Sequence, residues 1–407
     1  MQEDDLYRSP NALAPSYSRF RVGERLLLTG HSHQAWPDRA LDGQIRAFAD
    51  AAEQVDAKWE RAFAQADRVR RGFARLMDED ADTGDAGDAG GYALAGNTHE
   101  LVVRFLSALP LARRRRLVTT DGEFHSIRRQ LDRLAEEGIE VVKVPAQPVD
   151  AVAERLARAV DDRTAAVLVS AVFFGSGAIV PGLDRVAQAA RAAGAEILVD
   201  VYHALGVLPF PLAQLGLEGA FVVGGGYKYC QLGEGNCFLR LPAGCTLRPV
   251  VTGWFAEFDA LASATPGEVV YGPGGLRFAG STYDPTSHYR AAEVFDFWDE
   301  QGLTPAFLRA VSQHQVGLLA RGFDDLDLPP VLIDRDRLLP LEQTGGFLAL
   351  RSPQAQALHE GLRARGVSTD YRNDVLRLGP APYLSDAQLR DALGHLGEVA
   401  REVEGSR

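Results

Sequence analysis

Residues 164–202 read TAAVLVSAVFFGSGAIVPGLDRVAQAARAAGAEILVDVY, in which two valine-rich apolar runs flank a segment with helical spacing. The apolar runs, at 164–174 and 196–202, have the length and composition of fully buried strands. The intervening segment at 182–194 repeats apolar residues every three or four positions, which predicts a helix. Strand, helix and strand in succession form a unit whose two strands lie parallel in one sheet.

The same alternation covers residues 90–240 and predicts an α/β fold, with a mostly parallel (mixed) sheet of the seven-stranded type between helices. Further strands are expected at 116–121, 139–146 and 219–226, and further helices at 99–109, 126–138 and 150–162. A long helical segment and a short α+β pattern follow residue 290. We therefore expect an N-terminal segment at 1–45 that packs with the small domain, a large domain at 46–290, and a small C-terminal α+β domain at 291–407.

The composition is that of an ordinary soluble enzyme. The 407 residues are 46% hydrophobic and 24% charged, with a formal net charge of −12. This acidity argues against nucleic acid or an anionic membrane as the main partner. We see no signal peptide and no apolar run long enough to span a bilayer, so a cytoplasmic location is expected. The acidic, glycine-rich stretch at 78–91 is expected to be a surface loop.

The three cysteines, Cys230, Cys237 and Cys245, are too few and too clustered for a disulfide framework. Their spacing also lacks the paired C-x-x-C of a zinc site, so no metal is expected.

A lysine lies between two tyrosines in GGGYKYCQLGEGN, residues 224–236. Glycines on both sides let the backbone approach another group closely, and the aromatic neighbours suggest a partly dry site. In such a site the amine of Lys228 loses its preference for the charged form and becomes a nucleophile toward an aldehyde. The alternative is a buried lysine in a turn whose amine reaches solvent.

Asp200 ends the strand predicted in EILVDVY, at the edge of the sheet where ligands of such folds bind. Asp200 and Lys228 together are the pair that pyridoxal 5′-phosphate requires: an amine for its aldehyde and an acid beside its pyridine nitrogen. Alone, Asp200 is explained as a helix-capping or turn aspartate.

Two further segments fit the same cofactor. GNTHE at 96–100 opens a predicted helix, so Asn97 and Thr98 lie beside the N-terminal amides that bind phosphate. Phe124 follows another predicted strand, where its ring can lie flat on the pyridine. A capping motif and a lone phenylalanine are both commonplace, so these two features count only as members of the set.

As a set, these residues resemble the class V branch of the fold-type I pyridoxal phosphate enzymes, and within it the kynureninases, over most of the chain. In chain order the motifs are the D-x-x-H of Asp200 and His203, the Y-K-Y and glycine-rich turn at 227–235, the G-W-[FW] at 253–255, and the D-x-R…D-V-[IL]-R at 370–377. The resemblance implies a PLP-dependent homodimer whose active site is shared between subunits.

The resemblance also implies roles for individual residues. The catalytic residues are Lys228, which binds the cofactor covalently and then moves protons, together with Asp200 and Tyr227. The cofactor-binding residues are Asn97, Thr98, Phe124, Ser126, Ser170, Asp200, His203, Tyr227, Lys228, Trp254, Ser281 and Thr282. Of these, Ser281 and Thr282 would come from the neighbouring subunit. The substrate-binding residues are Arg377, as a clamp for the substrate carboxylate, and His31, Ser32 and His33. The alternative for Arg377 is a solvated surface arginine.

The chain departs from the kynureninase pattern on the substrate side. The family's G-N-S-L-G is Gly-His-Ser-His-Gln at 30–34, and its F-P-[ST]-D is Phe-His-Ser-Ile at 124–127, which lacks the acidic residue. His31, His33 and His125 are either new acid–base groups or polar residues that line the pocket. They lack further ligands at a spacing suited to zinc.

A kynureninase-like enzyme would cleave a β–γ carbon–carbon bond by hydrolysis, for instance L-kynurenine to anthranilate and L-alanine, or the 3-hydroxy form to 3-hydroxyanthranilate. A class V aminotransferase or lyase is the alternative. A cysteine desulfurase is disfavoured, because it needs a mobile cysteine far downstream of the lysine. A non-catalytic binding protein with this fold would have no use for Lys228.

Overall fold

The computed structural model describes residues 1–79, 90–263 and 265–405. Most of the acidic stretch at 78–91 lies outside the described residues, so the loop expected there stays a prediction. The helices are Asp4–Tyr7 (α1), Ala40–Gln54 (α2), Trp59–Leu76 (α3), Thr98–Ala108 (α4), His125–Glu136 (α5), Val152–Ala159 (α6), Leu183–Ala192 (α7), Thr286–Gln301 (α8), Pro305–Asp325 (α9), Ala355–Ala364 (α10) and Asp386–Gly405 (α11). Six short 3₁₀ helices lie between them in the described residues.

The strands are Leu26–Leu27 (β1), Tyr92–Ala95 (β2), Arg116–Thr120 (β3), Glu140–Val144 (β4), Thr164–Ser170 (β5), Glu196–Asp200 (β6), Phe221–Gly225 (β7), Cys237–Arg240 (β8), Asp334–Arg335 (β9), Leu348–Arg351 (β10), Val367–Ser368 (β11), Asp370–Arg372 (β12) and Val375–Leu378 (β13). Seven of them form the main sheet, in the order β2-β8-β7-β6-β5-β3-β4. All neighbours from β7 to β4 are parallel, whereas β8 runs antiparallel to both β2 and β7. The predicted α/β fold with a mixed, mostly parallel sheet is confirmed.

Both faces of this sheet are buried, which explains the unbroken apolar runs of its strands. Leu117 and Leu168 pack with Phe105 of α4 on one face, whereas Val118 and Val167 belong to the core on the other face. Burial of each such side chain contributes about 1.5–3 kcal/mol to folding. The sheet is therefore the rigid layer on which the loops at its edges are held.

The carboxyl ends of the parallel strands lie at one edge of the sheet and carry polar residues. Thr120 ends β3, Ser170 ends β5 and Asp200 ends β6, with Ser170 and Asp200 paired in register. The two strands predicted at 164–174 and 196–202 end earlier than expected. After Ser170 the chain forms a tight turn in which the Phe173 amide donates to Ala178 O, so it leaves the sheet.

The C-terminal part contains an antiparallel sheet in the order β12-β13-β10-β9, which packs on α9 and α10, while α11 lies against these two helices. The N-terminal segment meets this part, because β1 pairs in parallel with β11 and Thr29 bridges Gly379. The domain boundaries at 45 and 290 stay predictions. No helix in the described ranges is long and apolar enough to cross a membrane.

Candidate active site

A cavity of about 350 Å³ opens at the carboxyl edge of the main sheet. It collects nine of the residues predicted from the sequence: Asn97, Thr98, Phe124, Ser126, Ser170, Asp200, His203, Tyr227 and Lys228. It also contains five that the sequence analysis missed: His99, Val172, Phe174, Tyr202 and Cys237. Residues from six separate segments converge here: five lie at or just after the carboxyl ends of strands of the same sheet, and the sixth, Cys237, begins the antiparallel strand β8.

Lys228 lies in the turn between β7 and β8, and its side chain is buried. Its Nζ is 2.8 Å from His203 Nε2, and 4.6 and 5.2 Å from the ring centroids of Tyr202 and Phe124. Burial lowers the pKa of Lys228 to about 7, although the charge of Asp200 opposes this shift; the charge of Arg377 lowers the pKa further. A large fraction of the amine is therefore neutral and nucleophilic at physiological pH.

The glycines before Lys228 are required by close packing. A Cβ added at Gly225 would lie 2.5 Å from both Cys237 Sγ and Tyr202 Oη. Real side chains do not approach so closely, so only glycine lets this strand end pass between the two residues. The glycines thus let the backbone before Lys228 pack closely against residues that line the cavity.

Asp200 is buried beside Lys228. Its Oδ1 accepts a hydrogen bond of 2.8 Å from the Tyr202 amide. Burial raises its pKa, an effect that this bond and the charge of Lys228 oppose. A buried carboxylate with a raised pKa gains from a cationic hydrogen-bond donor, which is what a protonated pyridine nitrogen provides.

His203 is the hydrogen-bond partner of the lysine amine. Burial and the charge of Lys228 lower the pKa of His203 well below its usual range, so the imidazole is neutral. Within the described residues its buried Nδ1 has no hydrogen-bond partner. Such an unpaired polar atom costs about 1–3 kcal/mol, so a ligand that supplies the missing partner binds more tightly.

The N-terminus of α4 forms one wall of the cavity. Asn97 caps this helix, since its Oδ1 accepts from the Glu100 amide at 2.9 Å while its Nδ2 donates to Glu100 Oε1 at 2.8 Å. Thr98 and His99 follow in the first turn. The Glu100 amide is taken by this cap and the Thr98 amide bonds to Cys237, but the positive dipole end of the helix still suits a phosphate group.

Phe124 is the residue immediately before α5, and its ring lies edge-to-face against Phe174 at 5.3 Å. Of the two rings, Phe124 lies near the lysine amine, with 5.2 Å between its centroid and Lys228 Nζ. The stacking of this ring on the pyridine of a cofactor, expected from the sequence, stays a prediction.

Glu123, which the sequence analysis missed, is a buried residue directly before Phe124. Thr120 Oγ1 donates to its Oε1 at 2.6 Å, and Ser170 Oγ donates to its Oε2 at 2.6 Å. Burial raises its pKa to about 7, although both hydroxyls and the Ser170 amide oppose the shift; the nearby charge of Asp200 adds to it. The one sequence signal for Glu123 is its position three residues after a predicted strand. Its hydrogen-bond partners lie on two different strands, so the sequence alone could not show that they meet.

Ser170, predicted as a cofactor-binding residue, is therefore already engaged by Glu123. Its hydroxyl lines the cavity but gives its proton to the carboxylate. Only the lone pairs of this hydroxyl remain available, so Ser170 would accept a hydrogen bond from a bound group.

Arg377 is buried in β13, which excludes the alternative of a solvated surface residue. Its Nε donates to Asp370 Oδ1 at 2.9 Å, its Nη2 donates to Asp370 Oδ2 at 2.5 Å, and its Nη1 donates to Phe174 O at 2.7 Å. Although burial acts in the opposite direction, bonds from His31 and Arg377 hold the pKa of Asp370 well below its usual range. Because Phe174 lines the cavity, the guanidinium lies beside its wall.

The three histidines expected on the substrate side have different environments. His31 is fully buried, and its Nε2 lies 2.7 Å from Asp370 Oδ1. His33 is exposed and stacks on Tyr227 with ring centroids 4.7 Å apart; Ser32 bonds to its Nδ1 at 3.1 Å. His125 lies between Phe124 and Phe174, and burial together with Arg128 and Arg372 lowers its pKa.

Trp254, Ser281 and Thr282 lie apart from this cavity within the chain. Trp254 is partly exposed and packs on Phe255, with ring centroids 4.4 Å apart. Ser281 and Thr282 line a second cavity of about 880 Å³. Their expected contribution from a neighbouring subunit stays a prediction. Within the described ranges, no group of three or more histidine, cysteine, aspartate or glutamate side chains is arranged to hold a metal ion.

Two family models match the chain. Aminotransferase class-V matches residues 94–231, the stretch that supplies the cofactor side of the cavity from Asn97 to Lys228. The kynureninase C-terminal domain matches residues 340–396, which include Asp370 and Arg377. The two matches therefore include the cofactor-side residues from Asn97 to Lys228 and the Asp370–Arg377 pair, whereas residues 31–33 lie outside both.

The chain is similar to the kynureninase of Xanthomonas euvesicatoria pv. vesicatoria (strain 85-10), with 28% identity over 388 residues that cover 89% of this chain and 86% of that protein. It is also similar to the uncharacterized aminotransferase YcbU of Bacillus subtilis (strain 168), with 21% identity over 359 residues, 86% of this chain and 88% of that protein.

Among solved structures, a C-DES mutant with glycine covalently linked to its PLP cofactor superposes with a TM-score of 0.80 and 17% identity, covering 94% of this chain and 98% of that one. The cysteine desulfurase of Thermococcus onnurineus NA1 superposes with a TM-score of 0.77 and 15% identity, covering 93% and 95%. The chain has the fold of the fold-type I pyridoxal phosphate enzymes and resembles their class V branch. The resemblance to class V enzymes and to kynureninases that the motifs predicted is confirmed.

The cavity residues fit pyridoxal phosphate, the cofactor that the sequence predicted. A neutral amine, a buried carboxylate, a helix N-terminus and an aromatic ring are the four features it needs, and each lines the same space. The unpaired Nδ1 of His203 additionally offers a partner for a polar substituent of the cofactor.

Proposed function

We propose that this protein is a pyridoxal phosphate-dependent enzyme that acts on an amino acid, and that its reaction is a kynureninase-like hydrolysis of a β–γ carbon–carbon bond. L-Kynurenine and water would give anthranilate and L-alanine; the 3-hydroxy form would give 3-hydroxyanthranilate. The observation that carries the proposal is the buried Lys228, with its pKa lowered to about 7, beside Asp200 at the carboxyl edge of the sheet.

When bound, pyridoxal phosphate supplies an aldehyde for the amine and an electron-withdrawing ring that stabilises negative charge on the amino acid. In this proposal Asn97 and Thr98 hold its phosphate at the start of α4. Asp200 keeps a proton on its ring nitrogen, and Phe124 covers one face of the ring. Tyr227, next to Lys228, lies with its ring centroid 5.9 Å from the amine. It would orient the cofactor end of the lysine.

The protein's own acid–base groups then act at the substrate. The neutral Nζ of Lys228 accepts a proton from the substrate's α-carbon and later returns it. His203, 2.8 Å away, exchanges a hydrogen bond with that amine and keeps it oriented in both protonation states. Arg377, fixed by Asp370, binds the substrate carboxylate. Phe124 and Phe174 exclude water from this end of the cavity.

The kynureninase assignment is favoured by the family match at 340–396 and by the similarity to a kynureninase over 89% of the chain. A class V aminotransferase is the second candidate, favoured by the match at 94–231 and the similarity to YcbU. A desulfurase stays disfavoured. The cysteine in the cavity, Cys237, faces Tyr202 Oη at 3.7 Å, and burial raises its pKa to about 12, so it is a thiol rather than a nucleophilic thiolate.

Purified protein supplied with pyridoxal phosphate should be yellow, and borohydride should attach the cofactor irreversibly to wild-type protein but not to K228A. Incubation with L-kynurenine or 3-hydroxykynurenine should then release the fluorescent aminobenzoate together with one equivalent of L-alanine. A parallel reaction with an added α-keto acid tests the aminotransferase, which would form the corresponding amino acid.

Each outcome separates one part of the proposal from the rest. A colourless protein that does not take up the cofactor overturns the enzyme class. A yellow protein that turns over neither kynurenine overturns the kynureninase assignment, and amino-acid formation from the keto acid replaces it with transamination. The homodimer with a shared active site and the cytoplasmic location remain predictions.

A further inference from the structure

A histidine, an aspartate and an arginine form a buried cluster between the N-terminal segment and the small antiparallel sheet. His31 follows β1 and has no exposed surface, while Asp370 lies in β12 and Arg377 in β13. Asp370 Oδ1 is shared: it is 2.7 Å from His31 Nε2 and 2.9 Å from Arg377 Nε. Its other oxygen, Oδ2, accepts from Arg377 Nη2.

The chemistry of the cluster fixes which atom of His31 carries the proton. Burial lowers the pKa of His31 to about 4, which makes the ring neutral at physiological pH. Asp370 is a carboxylate and only accepts, so His31 Nε2 carries the proton and donates it. Nδ1 is then bare and packs tightly against the backbone of Gly379, where an added Cβ would lie 2.2 Å from it. The ring is therefore a fixed donor.

The cluster leaves a particular pair of donors on Arg377. Of its five N–H groups, one on Nε and one on Nη2 bind Asp370, and one on Nη1 binds Phe174 O. One N–H on Nη1 and one on Nη2 remain. The N–H groups of a guanidinium lie in its plane, and one remaining donor on each terminal nitrogen is the number that the two oxygens of a carboxylate accept.

A competing cation lies on the outer side of Asp370. Arg372 is about half exposed, and its Nη2 is 3.6 Å from Asp370 Oδ2. His31 and Arg372 thus approach different oxygens of the carboxylate, Oδ1 and Oδ2. Without the inner donor, Asp370 is free to turn toward Arg372, and the guanidinium of Arg377 would turn with it.

We propose that His31 is a positioning residue for the substrate carboxylate: its Nε2–H holds Asp370 so that Arg377 presents two free N–H groups to the substrate. The inference rests on the proposed function, since it takes Arg377 as the clamp. It also changes the role predicted from the sequence, in which His31 itself contacted the substrate.

The test compares a ligand that has a carboxylate with one that lacks it. The cofactor-loaded protein is titrated with L-alanine and with ethylamine, and the change in visible absorption gives two dissociation constants at one pH. Their ratio measures recognition of the carboxylate. Wild type should prefer L-alanine, and H31F, which keeps a flat ring but has no N–H, should lower the ratio at least tenfold while its ethylamine affinity stays within twofold.

Two further variants are matched to this change. H31Q keeps an amide N–H near the position of Nε2 and should restore most of the ratio. H314A breaks a similar pair, since His314 Nε2 lies 2.8 Å from Asp386 Oδ1, but that pair stacks on Tyr7 rather than bonding to Asp370. It should leave the ratio unchanged. In H31F/R372A, where the competing cation is absent, part of the ratio should return.

The outcomes distinguish the inference from the proposed function. A wild-type ratio near one overturns Arg377 as the clamp and with it the inference, whereas the proposed function is still decided by cofactor uptake and turnover. If the wild type discriminates and H31F has the same ratio, including the case in which its affinity for both ligands falls by the same factor, the positioning role alone is overturned. If H31F does not fold, imidazole ¹⁵N spectra of the wild type decide: a proton on Nε2 of His31 supports the inference, and a proton on Nδ1 overturns it.

Discussion

The lowered pKa of Lys228 predicts a pH-dependent stability that replacement of this residue will remove. The unfolded chain holds an amine with an ordinary pKa of 10.5, whereas burial lowers the pKa of Lys228 to about 7 in the folded protein. At about 1.4 kcal/mol per pH unit, this difference corresponds to about 5 kcal/mol. Below pH 7 the folded protein carries that full cost, because the amine is charged in both states.

The sign follows from the protons bound in each state. Between pH 7 and pH 10.5 the unfolded chain binds the proton more strongly, so the contribution of Lys228 to stability becomes less unfavourable as pH rises. From pH 7 to pH 9 the gain amounts to roughly 2 kcal/mol for the pKa values above. Lys228→Met keeps the length of the side chain but cannot ionise. Cofactor-free K228M should therefore exceed wild type in stability at pH 7, and the difference should shrink by roughly 2 kcal/mol at pH 9.

Urea unfolding of both cofactor-free proteins at pH 7, 8 and 9, followed by tryptophan fluorescence, measures this change. The comparison between variants cancels the titration of groups that they share. K228R is the matched control, because its guanidinium stays charged at every pH used. It should be less stable than K228M, and the difference in stability between the two variants should not change with pH. Wild type and K228M curves that remain parallel from pH 7 to 9 would refute a neutral amine at this position.

Two further predictions concern residues beneath the site and at a helix crossing. Burial raises the pKa of Glu123 to about 7, so its ionisation lowers the stability of the fold as pH rises above the pKa of the unfolded chain. The stability of E123Q relative to wild type should therefore increase by about 2–3 kcal/mol between pH 5 and pH 8 in urea unfolding. A stability difference that is the same at both pH values would contradict this. Gly43→Ala should cost at least about 1–3 kcal/mol, because its Cβ would lie 2.4 Å from Tyr289 O where α2 crosses α8. In α11, the Cβ of G394A would meet no described atom within 4 Å apart from its own helix backbone and chain neighbours, so G394A should instead gain about 0.5–1 kcal/mol. Thermal unfolding measures both changes, and equal effects would refute the packing argument.

The cofactor side of the site was predictable because its residues lie at strand ends. A parallel sheet brings every carboxyl end to one edge, so Asp200, Lys228 and the GNTHE segment could be joined without knowledge of the strand order. Glu123 could not be found in this way. Its role depends on hydroxyls from β3 and β5, and only the order of strands in the sheet makes these neighbours.

The substrate side was harder to predict because it is assembled across the chain. His31 and Asp370 are separated by 339 positions, and they meet only because β1 pairs with β11 and Thr29 bridges Gly379. The motif comparison marked the 30–34 loop as facing the substrate. It could not show that one histidine of this loop is buried against the small sheet while His33, two residues later, is exposed and stacked on Tyr227.

The charges of the site explain why these separately placed groups function together. The Arg377 guanidinium is neutralised by Asp370, and His31 and His203 are both neutral because of burial. When Lys228 is also neutral, Asp200 is the remaining buried charge of this set, and burial raises its pKa. A ligand with a cationic ring nitrogen would restore the balance without recharging the lysine. The burial that lowers the pKa of Lys228 therefore also makes a cationic partner favourable for Asp200. Loss of Asp200 should weaken cofactor binding more than it changes the pKa of Lys228.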